Sequence, residues 1–292
     1  MKAIKVDLVI PVLDGYNELK YLLSVFKTQE NIEIDNIVVP ITIAKDINIF
    51  NKIKQLCEDN KILTFEINRE DFSHSLVREK AIRECCKNDV VILLTDDIKI
   101  NDSLAMYNLA KEVIDGDVVY AFGRQMCSRR TIEHYIREYN YPTFSYIVSE
   151  EDIEAKQIKA FFASDVFAAI NRKVFLKLGG YNGLKLPTNE DMYYMYVLLT
   201  NGYKAKYCAD AMVEHYHSLT PKKLYKRYYD AGKFFKIVKV FDKYNKNGSG
   251  KSLAFYILKE AFKHFDIITI IRWPFNIAIR FIGMKRGTKA KI

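Results

Sequence analysis

The feature that most constrains this chain is an alternation of short apolar runs with amphipathic segments over its first third. The apolar runs lie at residues 6–13, 34–43, 62–67 and 89–94, and the amphipathic segments at residues 17–29, 47–60 and 74–88. The runs are rich in Val and Ile, and the segments carry apolar side chains at helical spacing. Strands that alternate with helices of this length predict an α/β fold with a mostly parallel sheet and right-handed crossovers. Ligands of such sheets bind outside the carboxyl ends of the strands.

The second part of the chain predicts further strands and helices in a less regular order. The predicted elements are a strand at residues 117–125, a polar, aromatic-rich connection at 131–145, a helix from residue 190 and an edge strand at 204–218. The edge strand would carry His215 and His217 on one face, since alternate residues of a strand point to the same side.

Two adjacent carboxylates, Asp96 and Asp97, directly follow the fourth apolar run. Like charges side by side repel each other, so the pair costs stability unless a cation lies nearby. One interpretation is a solvated turn that caps the helix beginning near Asp102. The other is a divalent cation held by one carboxylate and by substrate phosphates, because Mg²⁺ and Mn²⁺ prefer oxygen ligands. The chain has no glycine-rich phosphate loop after its first strand, so a metal would have to neutralise the phosphates.

Other polar side chains allow a functional and a structural interpretation in the same way. Glu190 and Asp191 open a predicted helix, where the helix dipole favours acids, but a carboxylate there could also act as a general base. His215 and His217 are either structural or metal ligands. Arg78 is either a surface charge or a group near phosphates.

Charge is distributed unevenly along the chain. The net charge is +9, but residues 222–292 hold 18 Lys and Arg against 4 Asp and Glu, whereas residues 1–221 carry a net charge of −5. A basic segment of this kind favours anionic partners. It is either an ordinary helical subdomain with solvated lysines or a set of helices on an anionic membrane surface. Nucleic acid ranks last, because no motif beyond charge supports it.

Cysteine usage and hydropathy predict a cytosolic protein. The five cysteines show no CxxC pair and no metal-ligand spacing, which favours free thiols in a reducing compartment. The sequence starts directly with a strand-like run, so we expect no signal peptide. It also predicts no membrane-spanning helix, because charged residues interrupt every long apolar stretch.

The order of these motifs resembles the family 2 glycosyltransferases of GT-A fold from about Lys5 to Ser218. The match consists of the blocks VDLVIPVLDG, FSHSLVREKAI, LLTDDIKIND, ASDVFAAINRKVFLKLGGYN and NEDMYYMYVLLTNGYKAKYCADAMVEHYH. The F-x-H-x-x-x-R and GRQ motifs are most similar to the bacterial polysaccharide rhamnosyltransferase branch. The resemblance implies a GT-A domain at residues 1–221 with a basic helical extension at 222–292.

The resemblance also implies a role for individual residues. Asp191, beside Glu190, would be the base that deprotonates an acceptor hydroxyl, and the reaction would invert the anomeric carbon. Asp97 would bind Mn²⁺ or Mg²⁺, with His215 or His217 completing the metal shell and His215 preferred. The residues implied in donor binding are Pro11, Asp46, Arg78, Asp96 and Asp165.

Two positions depart from the family pattern. The aspartate-rich block after the second strand is absent, which leaves Asp46 as the one candidate for holding the nucleotide base, and Glu79 replaces a common asparagine. The sequence therefore predicts an inverting, metal-dependent transferase that moves a sugar from a nucleotide donor, dTDP-rhamnose or a UDP-sugar, to a lipid-linked surface polysaccharide. It would work in the cytoplasm at the inner face of the membrane. The alternatives are a nucleotidyl- or phosphoryl-transferring enzyme and a catalytically silent, sugar-nucleotide-binding subunit.

Overall fold

The computed structural model describes residues 3–114, 117–216, 219–245 and 247–291. The strands of this part of the chain are β1 (Ile4–Val9), β2 (Ile32–Thr42), β3 (Leu63–Ile67), β4 (Val90–Leu94), β5 (Ile98–Lys99), β6 (Val118–Met126), β7 (Tyr146–Val148), β8 (Phe167–Asn171) and β9 (Lys204–His215). They form one mixed sheet in the order β3-β2-β1-β4-β8-β6-β9-β5, and β7 also pairs with β9. The first four strands of this order are parallel, as the alternation predicts.

Helices cover both faces of the sheet. They are α1 (Tyr16–Phe26), α2 (Ile47–Asp59), α3 (His74–Lys80), α4 (Ala105–Ala110), α5 (Ile132–Asn140), α6 (Asp152–Lys156), α7 (Arg172–Lys177), α8 (Glu190–Leu199), α9 (Pro221–Ile237), α10 (Asn247–Lys263) and α11 (Ile267–Gly287). In β4, Ile92 packs into one apolar cluster and Leu93 into the other, so both faces of this strand are buried. That explains why β4 is apolar at every position.

Two elements differ from the sequence-based predictions. Residues 131–145 were expected to be a polar, aromatic-rich connection, but α5 forms there because Ile132, Tyr135 and Ile136 pack against Ile257 of α10, far along the chain. The strand carrying His215 is not an edge strand, since β9 pairs with β6 on one side and with β5 and β7 on the other.

The C-terminal helices include one long apolar helix. By length and composition alone, α11 could cross a membrane, with a mean hydropathy of 1.4 over its most apolar stretch. The sequence predicted no such helix. The domain boundary at residues 221/222 stays a prediction, and Phe234 and Phe241 belong to the same apolar cluster as Leu93 of the sheet.

A buried carboxylate in β1 ties the sheet to the loop before β4. Asp7 is fully buried, and its carboxylate accepts hydrogen bonds from the backbone N–H groups of Lys87 (2.5 Å) and Asn88 (2.8 Å). The side-chain amides of Asn36 and Asn88 each donate to it at 2.8 Å. Hydrogen bonds to a charged group each contribute about 1.5–3 kcal/mol to stability.

We therefore expect Asp7→Ala to lower the free energy of unfolding by about 2–5 kcal/mol, because it removes four hydrogen bonds to a buried carboxylate. Urea denaturation followed by circular dichroism measures this change. The matched control is Asp89→Ala, which removes an exposed ion pair with Lys173 at 2.8 Å and should cost less than about 1 kcal/mol. Equal losses in the two variants would contradict the role given to Asp7.

Candidate active site

A cleft of about 1070 Å³ lies between the carboxyl ends of the central strands and the helices α9 and α11. It brings together eight of the ten residues that the sequence singled out, namely Pro11, Arg78, Asp96, Asp97, Asp165, Glu190, Asp191 and His215. The other two predicted residues, Asp46 and His217, are not among the described residues that line the cleft. Asp46 is exposed and accepts a hydrogen bond from the backbone N–H of Asn48 at 2.9 Å, so it caps α2. His217 lies outside the described residues.

The acidic pair occupies the turn after β4, where the sequence predicts it. Burial raises the pKa of the Asp96 carboxyl to about 7, and the neighbouring charge of Asp97 adds to this effect. Gly15, after β1, makes room for the pair, since a Cβ atom on Gly15 would lie only 2.1 Å from Asp96 Oδ2. The turn therefore concentrates negative charge at the floor of the cleft.

His215 lies beside this pair because β5 and β9 are neighbours at the end of the sheet. Its Nε2 is 3.4 Å from Asp97 Oδ1, and its Nδ1 is 2.8 Å from Gln125 Oε1. Burial lowers the pKa of His215, so the imidazole is neutral at pH 7. When Nδ1 carries the hydrogen and donates it to Gln125, Nε2 presents a lone pair on the side of Asp97.

Gln125 is itself held in a fixed orientation. Its amide nitrogen lies 2.6 Å from both the Tyr141 hydroxyl and the Ser164 hydroxyl, and so its oxygen is directed at His215. The guanidinium of Arg137, from α5, donates to the same oxygen, and its Nη2 also donates to His215 Nδ1 at 3.1 Å in the tautomer that carries its hydrogen on Nε2. Sequence reasoning missed Gln125 and Arg137 as site residues, although Gln125 belongs to the GRQ motif.

A buried ion cluster around Arg78 forms part of the wall of the cleft. Arg78 is therefore not the surface charge that the sequence allowed. The side chain of Arg78 is only 2% exposed, and its guanidinium donates to the carboxylate of Glu190. It also lies 3.5 Å from the carboxylate of Asp165 and donates to the Asp165 backbone carbonyl at 3.1 Å. The hydroxyls of Tyr120 and Tyr181 donate to the two oxygens of Asp165 at 2.8 and 2.6 Å. These contacts make Arg78, Asp165 and Glu190 a structural unit that faces the cleft.

Glu79 explains one departure from the family pattern. Its carboxylate accepts hydrogen bonds from the backbone N–H groups of Tyr181 (3.0 Å) and Gly183 (3.2 Å) and from Arg83 (2.8 Å). The side chain therefore holds the loop that contains Tyr181, rather than lining the cleft.

Asp191 is the carboxylate suited to proton transfer. Burial raises its pKa well above the ordinary value of an aspartic acid, and the nearby charges of Glu190 and Asp165 raise it further. Unlike Glu190, it forms no ion pair with Arg78 within the described residues, and its Oδ1 accepts the backbone N–H of Met192 at 2.7 Å. A carboxylate with a raised pKa in a cleft can accept a proton near neutral pH.

The residues around Asp97 fit a divalent cation in part. No group of three or more His, Cys, Asp or Glu side chains converges on one point within the described ranges. Asp97 and His215 nevertheless offer one carboxylate oxygen and one imidazole nitrogen 3.4 Å apart, and the carboxylate is the kind of ligand that Mn²⁺ and Mg²⁺ prefer. Further ligands would have to come from water and a substrate phosphate, which is common for this class of cation.

A second cavity of about 500 Å³ adjoins the cleft and shares His74 with it. Its lining combines apolar side chains, such as Leu13 and Phe72, with Thr42 and with five charged side chains, namely Arg69, Lys185, Lys226, Asp230 and Lys233. The buried Thr42 Oγ1 and His74 Nδ1 have no hydrogen-bond partner among the residues that the structure describes. Burial lowers the pKa of His74 to about 3, so its imidazole is neutral. Sequence reasoning used His74 only as part of a motif and missed Thr42.

The buried cluster predicts a large cost for removing its cation. Arg78→Met should lower the free energy of unfolding by about 3–5 kcal/mol, because two buried carboxylates then lack a partner. Arg83→Met is the matched control, since the Arg83 side chain is 39% exposed and forms a peripheral ion pair with Glu79. Chemical denaturation of the two variants measures the difference. An Arg78 variant as stable as the Arg83 variant would show that the cluster is not a stabilising unit.

Sequence comparison finds relatives that cover most of the chain. The chain is 34% identical over 233 residues to the O-antigen chain rhamnosyltransferase RfbN of Salmonella typhimurium, and the match covers 79% of this chain and 72% of that protein. It is 34% identical over 170 residues to the O-antigen chain rhamnosyltransferase WbaN of Salmonella anatum, over 58% of this chain and 54% of the relative. No sequence profile of a protein family matches the chain.

Solved structures share the fold at low sequence identity. The mannosyltransferase PcManGT of Pyrobaculum calidifontis, solved with GDP-Man and Mn²⁺, superposes with a TM-score of 0.58 at 12% identity, over 100% of this chain and 77% of its own. Residues 1–349 of Staphylococcus aureus TarS give a TM-score of 0.56 at 13% identity, over 90% of this chain and 72% of that one. GalNAc-T7, solved with UDP, GalNAc and Mn²⁺, gives 0.57 at 13% identity, over 91% of this chain and 57% of that one. The chain therefore has the GT-A fold and belongs to the O-antigen rhamnosyltransferase family of glycosyltransferases.

Proposed function

We propose that this glycosyltransferase is an inverting, metal-dependent rhamnosyltransferase that extends a surface polysaccharide. The observation that carries the proposal is one cleft that holds both a base candidate, Asp191, and a cation-binding pair, Asp97 and His215. An alternative nucleotidyl- or phosphoryl-transferring enzyme would not need a base in this cleft. The names of the relatives support rhamnose as the transferred sugar.

The chemistry follows from the position of these groups. Asp191 takes the proton of an acceptor hydroxyl, whose oxygen attacks the anomeric carbon of the donor. The bond from that carbon to the diphosphate oxygen breaks as the new glycosidic bond forms, and the configuration inverts in a single displacement. Asp97 and His215 would hold Mn²⁺ or Mg²⁺, which when bound neutralises charge on the leaving nucleoside diphosphate. The Arg78 cluster keeps the helix that carries Asp191 in place through the neighbouring Glu190.

The second cavity is where we place the nucleotide base. Its apolar side chains Leu13 and Phe72 suit a planar ring, and Thr42 and His74 of its lining each have an unpaired polar atom that would hydrogen-bond to the edge of a base. It adjoins the cleft at His74, and Leu13 of its wall follows Pro11 of the cleft by two residues. Thr42 and His74 would then take the role that the sequence had given to Asp46. The donor remains dTDP-rhamnose or a UDP-sugar, both of which carry a pyrimidine.

The acceptor in this proposal is a growing glycan on a lipid carrier, at the cytoplasmic face of an anionic membrane. The basic C-terminal segment supports it, since nine Lys and Arg stand against two acids in residues 247–291. Each cation near an anionic surface contributes about 1 kcal/mol to binding.

The direct test is release of nucleoside diphosphate from a panel of dTDP-, UDP- and GDP-sugars with Mn²⁺ or Mg²⁺. We expect turnover of a dTDP- or UDP-sugar by the native chain. Asp191→Asn should reduce turnover about 10²–10⁴-fold, the usual contribution of a general base. Asp97→Asn should reduce it at least about a hundredfold and should weaken Mn²⁺ binding measured by calorimetry. Thr42→Val should raise the donor KM without a matching loss of kcat.

Asp89→Asn is the matched control, because Asp89 is an exposed aspartate beside the opposite end of β4. It should turn over the donor like the native chain. Metal-dependent donor binding without turnover, even with a lipid-linked acceptor, would instead identify the chain as a silent sugar-nucleotide-binding subunit. Turnover that survives Asp191→Asn would remove the proposed base.

The raised pKa of Asp191 also predicts the pH dependence of the reaction. A general base acts in its ionised form, so kcat should rise with pH through the pKa of Asp191. Because that pKa is raised by burial, the acidic limb should lie clearly above about pH 4, where an ordinary aspartic acid titrates. A profile of kcat against pH at saturating donor measures it. A rate that is flat from about pH 4 upward would contradict the assignment.

A further inference from the structure

The two last helices expose an unusual amount of apolar surface. Phe265 is 87% exposed and Phe275 is 70% exposed, values typical of charged side chains rather than of aromatic ones. The exposed large apolar residues of α10, α11 and their connection are Phe255, Phe262, Phe265, Ile267, Ile268, Ile271, Phe275, Phe281 and Ile282. We call this set the apolar stripe.

The stripe follows the period of the α11 helix. Ile268, Ile271, Phe275 and Ile282 follow one another at intervals of three, four and seven residues. Such spacing puts them on one side of the helix. On a soluble protein the side of a helix that faces water is polar, and a continuous exposed apolar face marks a binding surface.

The opposite side of α11 is packed against protein. Gly283 and Gly287 face α9 so closely that a Cβ on Gly287 would lie 2.0 Å from the Tyr229 carbonyl oxygen. Gly232 of α9 makes the same close approach from the other side, 2.3 Å from the Met284 carbonyl oxygen. Arg280 is held by Glu133 at 3.0 Å. A helix with one face fixed to the protein cannot be surrounded by lipid, so α11 is not free to cross a bilayer on its own.

Basic side chains flank the stripe on the same helices. Lys259, Lys263 and Arg272 are exposed along it, and Lys285, Arg286 and Lys289 follow its C-terminal end. A helix that exposes an apolar face beside Lys and Arg is typical of segments that lie in the interface of an anionic membrane. A second copy of the chain would bring these cations against each other, which disfavours a dimer through the stripe.

We propose that the apolar stripe inserts into the interfacial layer of an anionic membrane, with α11 parallel to the bilayer plane. The attachment is hydrophobic, and the flanking cations only strengthen it. This inference deepens the proposed function, because it states how the membrane that bears the acceptor is bound, but it does not depend on catalysis.

The inserted helix also positions the cleft. Arg280 and Met284 of α11 line the cleft, while Phe275 and Ile282 of the same helix are exposed. Tyr228 of α9 lines the cleft beside them. One helix therefore separates the membrane layer from the active site by about its own diameter, roughly 10 Å. A lipid-linked acceptor could reach Asp191 while its chain stays in the bilayer.

Trp273 makes the proposal measurable without a label. It is the single tryptophan of the chain and lies in α11, where its indole N–H donates to the Ala254 carbonyl at 2.9 Å. Vesicles of phosphatidylcholine and phosphatidylglycerol with bromine at a shallow or a deep acyl position quench tryptophan according to its depth. We expect stronger quenching by the shallow bromine. If α11 crossed the bilayer, Trp273 would lie about 6 Å from its middle and the deep bromine would quench more strongly, which would overturn the proposal.

Vesicle flotation with variants tests the stripe itself. One triple variant combines Ile271→Gln, Phe275→Gln and Phe281→Gln. Glutamine is uncharged and favours the helix, so the net charge and the helix are kept. The loss of apolar surface should lower vesicle partitioning roughly a hundredfold. The matched control combines Ile47→Gln, Phe144→Gln and Ile147→Gln, which are exposed apolar residues outside these helices. It should float like the native chain. Circular dichroism and donor turnover in solution should be native in both triple variants.

Salt separates the hydrophobic from the electrostatic form of attachment. Native protein should stay on the vesicles when salt is raised, whereas a purely electrostatic contact is screened. Release of the native chain by salt, or equal flotation of the stripe variant and the native chain, would overturn the proposal. A third outcome would also overturn it: the native chain is a dimer in solution and does not bind vesicles, and the substitutions in the stripe dissociate that dimer. Because flotation needs no donor, a failed transferase assay leaves these outcomes readable.

Discussion

The buried ion cluster around Arg78 is the interaction on which the site depends. Arg78 of α3 binds Glu190 at the start of α8 and Asp165 before β8, so three distant segments meet at one guanidinium. Taking these charges out of water is costly, and mutual pairing compensates for it only when the geometry is correct. The cluster therefore specifies how α8 enters the cleft, and with it the position of Asp191.

Negative charge in the cleft is arranged in two places with different partners. The Arg78 cluster neutralises its own carboxylates, whereas Asp96 and Asp97 repel each other and Asp96 has a raised pKa. Asp191 lies next to the Arg78 cluster, but within the described part of the chain it forms no ion pair with Arg78. A cleft whose wall holds paired carboxylates and whose floor holds two adjacent ones is suited to cations at the floor and to proton transfer near the wall.

Much of the fold could be predicted from local sequence, and the failures share a cause. The period of apolar residues identified β1 to β4 and the helices between them, because their burial follows a local pattern. It missed α5, whose apolar residues pack on α10 more than a hundred residues away, and it took β9 for an edge strand. Pattern reasoning sees only near neighbours, and both features depend on partners distant in the chain.

The sequence by itself determined which residues end the central strands, and eight of the ten site residues that it predicted line the cleft. It also determined the basic charge of the C-terminal helices. Only the tertiary structure decided that Arg78 and Glu190, 112 positions apart, form an ion pair and that Asp46 caps a helix instead of lining the cleft. It likewise decided which side of α11 meets α9 through Gly283 and Gly287, and which side stays exposed. The physical reason is that strand and helix periods are local, whereas pairing and exposure depend on long-range packing.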